Sequence, residues 1–223
     1  MNGKLFAQAI IKVISGVLLM GILLFIPAGS FSYWNGWLLM AVLFVPMIIA
    51  GFVMMKKSPK LLQKRLNAKE EQSEQKTVIV LSGHMFLAAF VVAGLNFRFG
   101  WIVLPNWVAY AATAVFLLGY LLYAEVLREN AYLSRTVEVQ ENQKVIDTGL
   151  YGIVRHPMYS STLLLFLSMP LVLGSVISFV IMFVYIPIIA KRIRNEEQVL
   201  EQGLAGYSDY RKRVKHKVIP WIW

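Results

Sequence analysis

Long apolar runs, broken by short polar stretches, divide the chain into membrane-spanning pieces. Leu5 to Ile26, Gly36 to Met55, Val78 to Leu95 and Trp107 to Leu127 are each dominated by apolar side chains. About 20 such residues at 1.5 Å rise cross about 30 Å of hydrocarbon, so each run predicts a transmembrane helix. A fifth run, Tyr159 to Ala190, continues for 32 residues without a charge and carries Pro170 and Gly174 inside it. That is too long for one span. It predicts a tight helical hairpin of two short spans turning near Gly174, because a helix break at membrane depth must be buried in protein or lie close to the far surface. The fold class expected is all-α, a polytopic integral membrane protein with about six transmembrane helices including a C-terminal hairpin.

The polar stretches between the runs carry the basic residues. Two lie near the N-terminus, seven between Lys56 and Lys76, four between Arg128 and Arg155, and eight from Lys191 onward; Arg98 stands alone on the other side. Short cytoplasmic loops hold the excess of Lys and Arg, so both termini and these stretches are expected on the cytoplasmic face. The first run begins near lysines but has no convincing small-residue cleavage site, and is read as a span. A net charge of +10 is then a matter of topology and attraction to anionic lipid. Nucleic acid is not an expected partner, since the basic residues flank spans and no binding motif accompanies them. With 58% hydrophobic and 15% charged residues and a mean hydropathy of +0.61, the composition agrees with a protein of the lipid bilayer. The absence of cysteine excludes disulfides, thiolate metal sites and a cysteine nucleophile.

Each polar stretch suggests a local structure. Lys56 to Lys76, with Glu70, Glu71 and Glu74 among its bases and Leu61, Leu62 and Leu66 as its apolar positions, fits an amphipathic helix on the lipid surface. Arg128 to Arg155 is long and rich in hydrogen-bonding groups, as functional loops often are. From Lys191 the last span is expected to continue as a helix beyond the membrane, which puts Arg192 and Glu196 four apart on one face. Arg before Glu is the weaker order for an ion pair, so stability is a poor reason for them; a membrane-proximal collar of charge is the plain alternative, and Arg194, Glu197 and Glu201 look like that collar.

Candidate chemistry concentrates in Gly149-Leu-Tyr-Gly-Ile-Val-Arg155-His156-Pro157-Met-Tyr159. Pro157 suits the first position of a helix, leaving His156 at its start and the free N–H groups of the first turn as a site for a carboxylate or phosphate. A Pro-started membrane helix with a snorkelling Arg155 and interfacial tyrosines explains the same residues without chemistry. His84, His156 and His216 have no second ligand at metal-binding spacing, so no metal is expected. His84 reads as a satisfied intramembrane histidine and Glu125 as a carboxylate near a helix end. There is no glycine-rich phosphate loop and no G-x-S-x-G elbow.

The same segment, followed by an apolar hairpin, then Arg192-Ile-Arg-Asn-Glu196-Glu197-x-x-Leu200, Tyr207-x-x-Tyr210 and Ile219-Pro220, resembles the isoprenylcysteine carboxyl methyltransferase family over about Val137 to the C-terminus. It departs from that pattern at Gln143, where members commonly have His, and at Leu150, where Pro is frequent. The resemblance implies two parts. Residues 1–127 form four N-terminal transmembrane helices with a basic loop at 56–77; residues 128–223 form a methyltransferase core of pre-hairpin loop, hairpin at 159–190, and C-terminal helix and tail. It further implies a cytoplasmic pocket for S-adenosyl-L-methionine contacted by Gln140, Gln143, Val145, Ile146, Tyr151, His156, Pro157, Tyr159 and Glu196. Arg192 falls at the position associated with the substrate and with catalysis. The methyl acceptor implied is lipophilic or lipidated, with a carboxylate or another nucleophile. A phospholipid amine N-methyltransferase, a membrane reductase using a nicotinamide cofactor in a related helical fold, and a non-catalytic membrane protein are the competing readings.

Overall fold

The computed structural model of the chain describes residues 3–66, 73–133 and 137–223, and is helical throughout, with no strand among the described residues. The helices are α1 (Gly3–Ala28), α2 (Trp34–Lys57), α3 (Pro59–Leu66), α4 (Ser73–Phe99), α5 (Asn106–Glu129), α6 (Pro157–Val172), α7 (Val176–Met182), α8 (Tyr185–Gly203) and α9 (Tyr207–Arg213); a 3₁₀ turn occupies Gly149–Gly152. The four N-terminal spans expected from the apolar runs are α1, α2, α4 and α5, each long and apolar enough to cross a bilayer, as is the stretch from Val176. Their outward side chains are large and apolar: Ile11, Leu18, Ile26, Trp107 and Leu121 are all more than 60% exposed. That is the arrangement for a hydrocarbon surround, and the protein is integral to the membrane.

Between the helices the contact is close and depends on small residues. A Cβ at Gly94 would lie 2.7 Å from the Leu24 carbonyl oxygen, so only glycine lets α4 approach α1 there. At Gly119 it would lie 2.9 Å from the Leu165 side chain, which is how α5 comes to pack so closely along α6. Leu24, Leu39, Phe116 and Val172, each fully buried, form the core where α1, α2, α5 and α6 meet. A second core joins α4, α6, α7 and α8 through Met85, Tyr159, Met182 and Ile189, and reaches Val218 of the C-terminal tail.

The hairpin turns where Pro170 and Gly174 place it. α6 has 16 residues, about 24 Å of helix, less than the hydrocarbon thickness. Its tip is therefore buried against protein, and the free carbonyls at the turn have partners from other helices. Tyr33 Oη donates to Leu173 O at 2.7 Å, Asn35 Nδ2 to Val172 O at 2.8 Å and Asn96 Nδ2 to Gly174 O at 3.4 Å. Gly174 takes φ +72°, which glycine adopts without strain, and Ser175 caps α7 by accepting from Ser178 N.

The loop between the second and third spans is not one surface helix. α2 runs on to Lys57 and breaks at Ser58, and α3 is a separate eight-residue helix with Leu62 buried and Leu61 and Leu66 half-buried; residues 67–72 lie outside those described. Pro59 cannot continue α2, which is why the break falls there. Arg65 sits 5.3 Å above the Tyr123 ring, so α3 lies beside the last turns of α5. As expected from the sequence, α8 carries the apolar part ending at Ala190 onward through the charged residues to Gly203.

Candidate functional site

One end of the bundle gathers the end of α5, the 3₁₀ turn, the start of α6, the end of α8, α9 and the tail after Arg213. Gly149 opens this segment at φ +52°, and any side chain there would collide with Glu129, whose carboxylate accepts from Leu150 N at 3.1 Å. The loop from α5 is thereby anchored to the end of α5 itself. His156 stands at the N-cap of α6 and Pro157 at its first position, as expected. The first turn is less open to an anion than expected, however: Pro157 has no N–H, and Tyr159 N and Ser160 N both donate to His156 O.

The tail is hydrogen-bonded to this segment through its backbone carbonyls. Arg155 N donates to His216 O at 2.9 Å and His156 N to Lys217 O at 2.8 Å, while Ser160 Oγ donates to Val218 O at 2.6 Å. Arg155 does not snorkel to the surface. It is 7% exposed, with Nε on Glu197 Oε1 at 2.8 Å and Nη1 on the Val214 and Lys215 carbonyls. Glu197, expected in an exposed collar, is 4% exposed. It meets Arg155, His156 Nε2 at 3.2 Å and Lys217 Nζ at 3.1 Å. A buried carboxylate needs such compensation, and its partners come from two separate segments, the turn before α6 and the tail, so no spacing along the chain reveals it. Arg194 and Glu201 do lie on the surface, Glu201 paired with Arg211.

Above this ion-pair cluster lies a cleft of about 870 Å³ of empty space, its open mouth included, of which only about 100 Å³ lies far enough from every wall to seat a water molecule. Of the residues expected at a site, Gln143, Val145, Ile146, Tyr151, His156, Tyr159, Arg192 and Glu196 line it. Two do not. Gln140 lies outside the lining, its Nε2 donating to Tyr132 O and its backbone N to Gln143 Oε1; Pro157 is buried as the first residue of α6. At the cleft's charged end Tyr159 joins the two residues of α8: its hydroxyl donates to Glu196 Oε2 at 2.7 Å and accepts from Arg192 Nε at 2.9 Å. Arg192 and Glu196 thus meet through a phenol from α6. At the other end Tyr151 takes a hydrogen bond from Asn130 and burial pushes its hydroxyl up to about 12, while Tyr210 donates to Tyr151 O at 2.8 Å. No cluster of metal-ligating side chains occurs among the described residues.

Residues 107–205 match the phospholipid methyltransferase family. That window runs from the start of α5 past the end of α8 and so contains the 3₁₀ turn, the hairpin and the Tyr159, Arg192 and Glu196 constellation. Over 91 residues the chain is also 26% identical to the Delta(14)-sterol reductase TM7SF2 of Mus musculus. The aligned stretch is 40% of this chain and spans 22% of that relative's length.

Several lining residues were not expected from the sequence. Asn130, Tyr132 and Glu138 belong to the long polar loop, whose hydrogen-bonding character was the signal available. Leu200, Leu204 and Tyr207 form the apolar wall. A second, apolar groove runs along the outer side of α6 between α5, α7 and the tail residues Val218 to Pro220, and shares no lining residue with the cleft.

Proposed function

We propose that the chain is a membrane-embedded methyltransferase that binds S-adenosylmethionine in the cleft and methylates a lipid-like acceptor reaching it from the bilayer. The observation that carries this reading is the Tyr159 bridge. It fixes a guanidinium and a carboxylate side by side where an apolar helix leaves the membrane, the place at which a water-borne cofactor and a lipid-borne acceptor meet. The match to phospholipid methyltransferases supports it. The cleft's make-up suits the cofactor, with an apolar wall for a base and polar groups for a charged end. Its narrowness means that the walls part when a ligand enters.

S-adenosylmethionine supplies an activated methyl group; the residues supply the rest. Glu196 accepts hydrogen bonds from cofactor hydroxyl or amino groups, His156 and Tyr159 flank it, and Gln143, Val145, Ile146 and Tyr151 close the opposite wall. Arg192, oriented by Tyr159, holds an acidic group of the acceptor through its planar fork. A carboxylate acceptor is ionised at neutral pH and needs no general base. An amine must first lose a proton; Glu138 and Glu196 are the carboxylates that line the cleft, and Glu196 is the one beside Arg192 and Tyr159, whereas both oxygens of Glu197 are already engaged by cations. Alignment and exclusion of water are the main demands in either case. The apolar groove beside α6 is suited to an acyl or prenyl chain.

A nicotinamide-dependent reductase is the second reading, favoured by the similarity to the sterol reductase. Binding of radiolabelled S-adenosylmethionine and of NADPH to the purified protein separates the two. We expect S-adenosylmethionine to bind; binding of NADPH alone replaces the methyltransferase reading with the reductase.

A further inference from the structure

Tyr207 carries a hydrogen-bonding group that the fold leaves without a use. Its side chain is 4% exposed, and its hydroxyl has no hydrogen-bond partner among the described residues. Buried polar groups are nearly always paired, so each exception calls for a reason. The contrast lies one turn along the same helix, where the Tyr210 hydroxyl, equally buried, donates to Tyr151 O. Nor is Tyr207 placed by accident of a loose terminus. Gly206, at φ +83°, turns the chain so that α9 begins at Tyr207, whose N–H donates back to Leu204 O. The residue lines the cleft, in its apolar part, packed with Leu200, Leu204 and Val145.

We propose that the Tyr207 hydroxyl is the hydrogen-bond donor for the nucleoside half of a bound adenosyl cofactor. This rests on the methyltransferase reading above and assigns a residue and a part of the ligand to it. Two parts of the cleft lining differ in the way the two halves of such a cofactor differ. Tyr159, Arg192 and Glu196 make a charged group suited to the amino-acid part, and the Tyr207 ring, within electrostatic reach of Glu196 and Glu197, is packed with Leu200, Leu204 and Val145, a surface suited to the flat face of a purine. A purine brings ring nitrogens and its ribose brings oxygens, all of them acceptors. Among the described residues, the buried side-chain donor on that surface with no partner of its own is the Tyr207 hydroxyl. Burial, with the charges of Glu197 and Glu196 nearby, raises the phenol far above its ordinary range, so the hydroxyl keeps its proton and acts as a donor at every physiological pH. The hydroxyl is covered in the narrow cleft, and the parting of the walls that admits a nucleoside also uncovers it.

The test is Tyr207→Phe, read in two ways on the full-length purified protein: calorimetric binding of S-adenosylhomocysteine and of 5′-methylthioadenosine, which shares the nucleoside but lacks the amino-acid end, and thermal unfolding without ligand. We expect affinity for both compounds to fall roughly tenfold, the size of one hydrogen bond. The unfolding midpoint should stay the same or rise, because the variant removes a buried polar atom that no described residue satisfies. Tyr210→Phe provides the contrast, lowering the midpoint by stranding the Tyr151 carbonyl. A Tyr207→Phe protein that melts lower and binds both compounds as before overturns the inference, as does a loss confined to S-adenosylhomocysteine, which would place the contact on the amino-acid half. If the unsubstituted protein binds neither compound, the methyltransferase reading falls and this inference with it; unchanged binding in Tyr207→Phe alone removes only the inference.

Discussion

At the scale of residues, the division of labour at the charged end of the cleft is the first thing to test. Tyr159 touches both Arg192 and Glu196, but the two differ in what they offer a ligand: a fork of N–H donors nearer the membrane, and an acceptor one turn further toward water. Arg192→Lys keeps the charge and loses the Nε–H that meets Tyr159 together with the planar fork. It should cut methyl transfer strongly while leaving S-adenosylmethionine affinity nearly unchanged, and Glu196→Ala should weaken that affinity about ten- to hundredfold, the effect of losing a charged hydrogen-bond partner. Calorimetry beside a methyl-transfer assay measures both. Parallel loss of affinity and activity in the lysine variant would move Arg192 into the cofactor pocket. The sequence placed Arg192 and Glu196 on one face correctly, because helical spacing is local. It misassigned Glu197, because adjacent helix positions point about 100° apart and nothing along the chain says that Arg155 and Lys217 wait on that side. Tyr207 was visible only as half of a tyrosine pair; its unsatisfied hydroxyl is a property of the folded wall.

Among the elements, the tail after α9 matters more than its composition suggests. The backbone of Lys215 to Trp223 pairs with Arg155 and His156, and its Lys217 completes the charge around Glu197. The hairpin, by contrast, was legible, since Pro170 and Gly174 inside an uncharged run leave few other ways to fold. The capping of its tip by Tyr33, Asn35 and Asn96 was not, because those residues lie in other spans. Glu197 is the point at which α8, α6 and the tail are held together, and a stability measurement shows how much rests on it. Glu197→Ala leaves Arg155 buried without its carboxylate and should cost about 3–5 kcal/mol. Glu201→Ala removes a surface partner of Arg211 and should cost at most about 1 kcal/mol. Thermal or denaturant unfolding in detergent compares them; equal, small effects would mean that the cluster is no keystone.

For the whole molecule, the question is which side of the membrane the cleft faces. The bundle brings the ends of α5 and α8 and the start of α6 together, so every described residue of the cleft lies at one end, and every described Lys and Arg except Arg98 belongs to a stretch at that end. Arg98, beside Phe99 and Gly29, marks the other. Positive charge of this kind is retained on the cytoplasmic side during insertion, which would put the cleft where S-adenosylmethionine is made available and leave the acceptor to arrive through the inner leaflet. The chain has no cysteine, so single introduced thiols report without background. Asn142 and Ala205 are exposed, one on the loop before the 3₁₀ turn and the other between α8 and α9, each next to a residue that lines the cleft, Gln143 and Leu204. Asn142→Cys and Ala205→Cys should resist an impermeant thiol reagent applied to intact cells and react once the membrane is opened, while a cysteine at exposed Val103, in the turn between α4 and α5, should react from outside at once. The reverse pattern would turn the whole bundle over and require the cofactor on the outer side, where methyl transfer from S-adenosylmethionine has no supply; the reading of the cleft would then have to change with the topology.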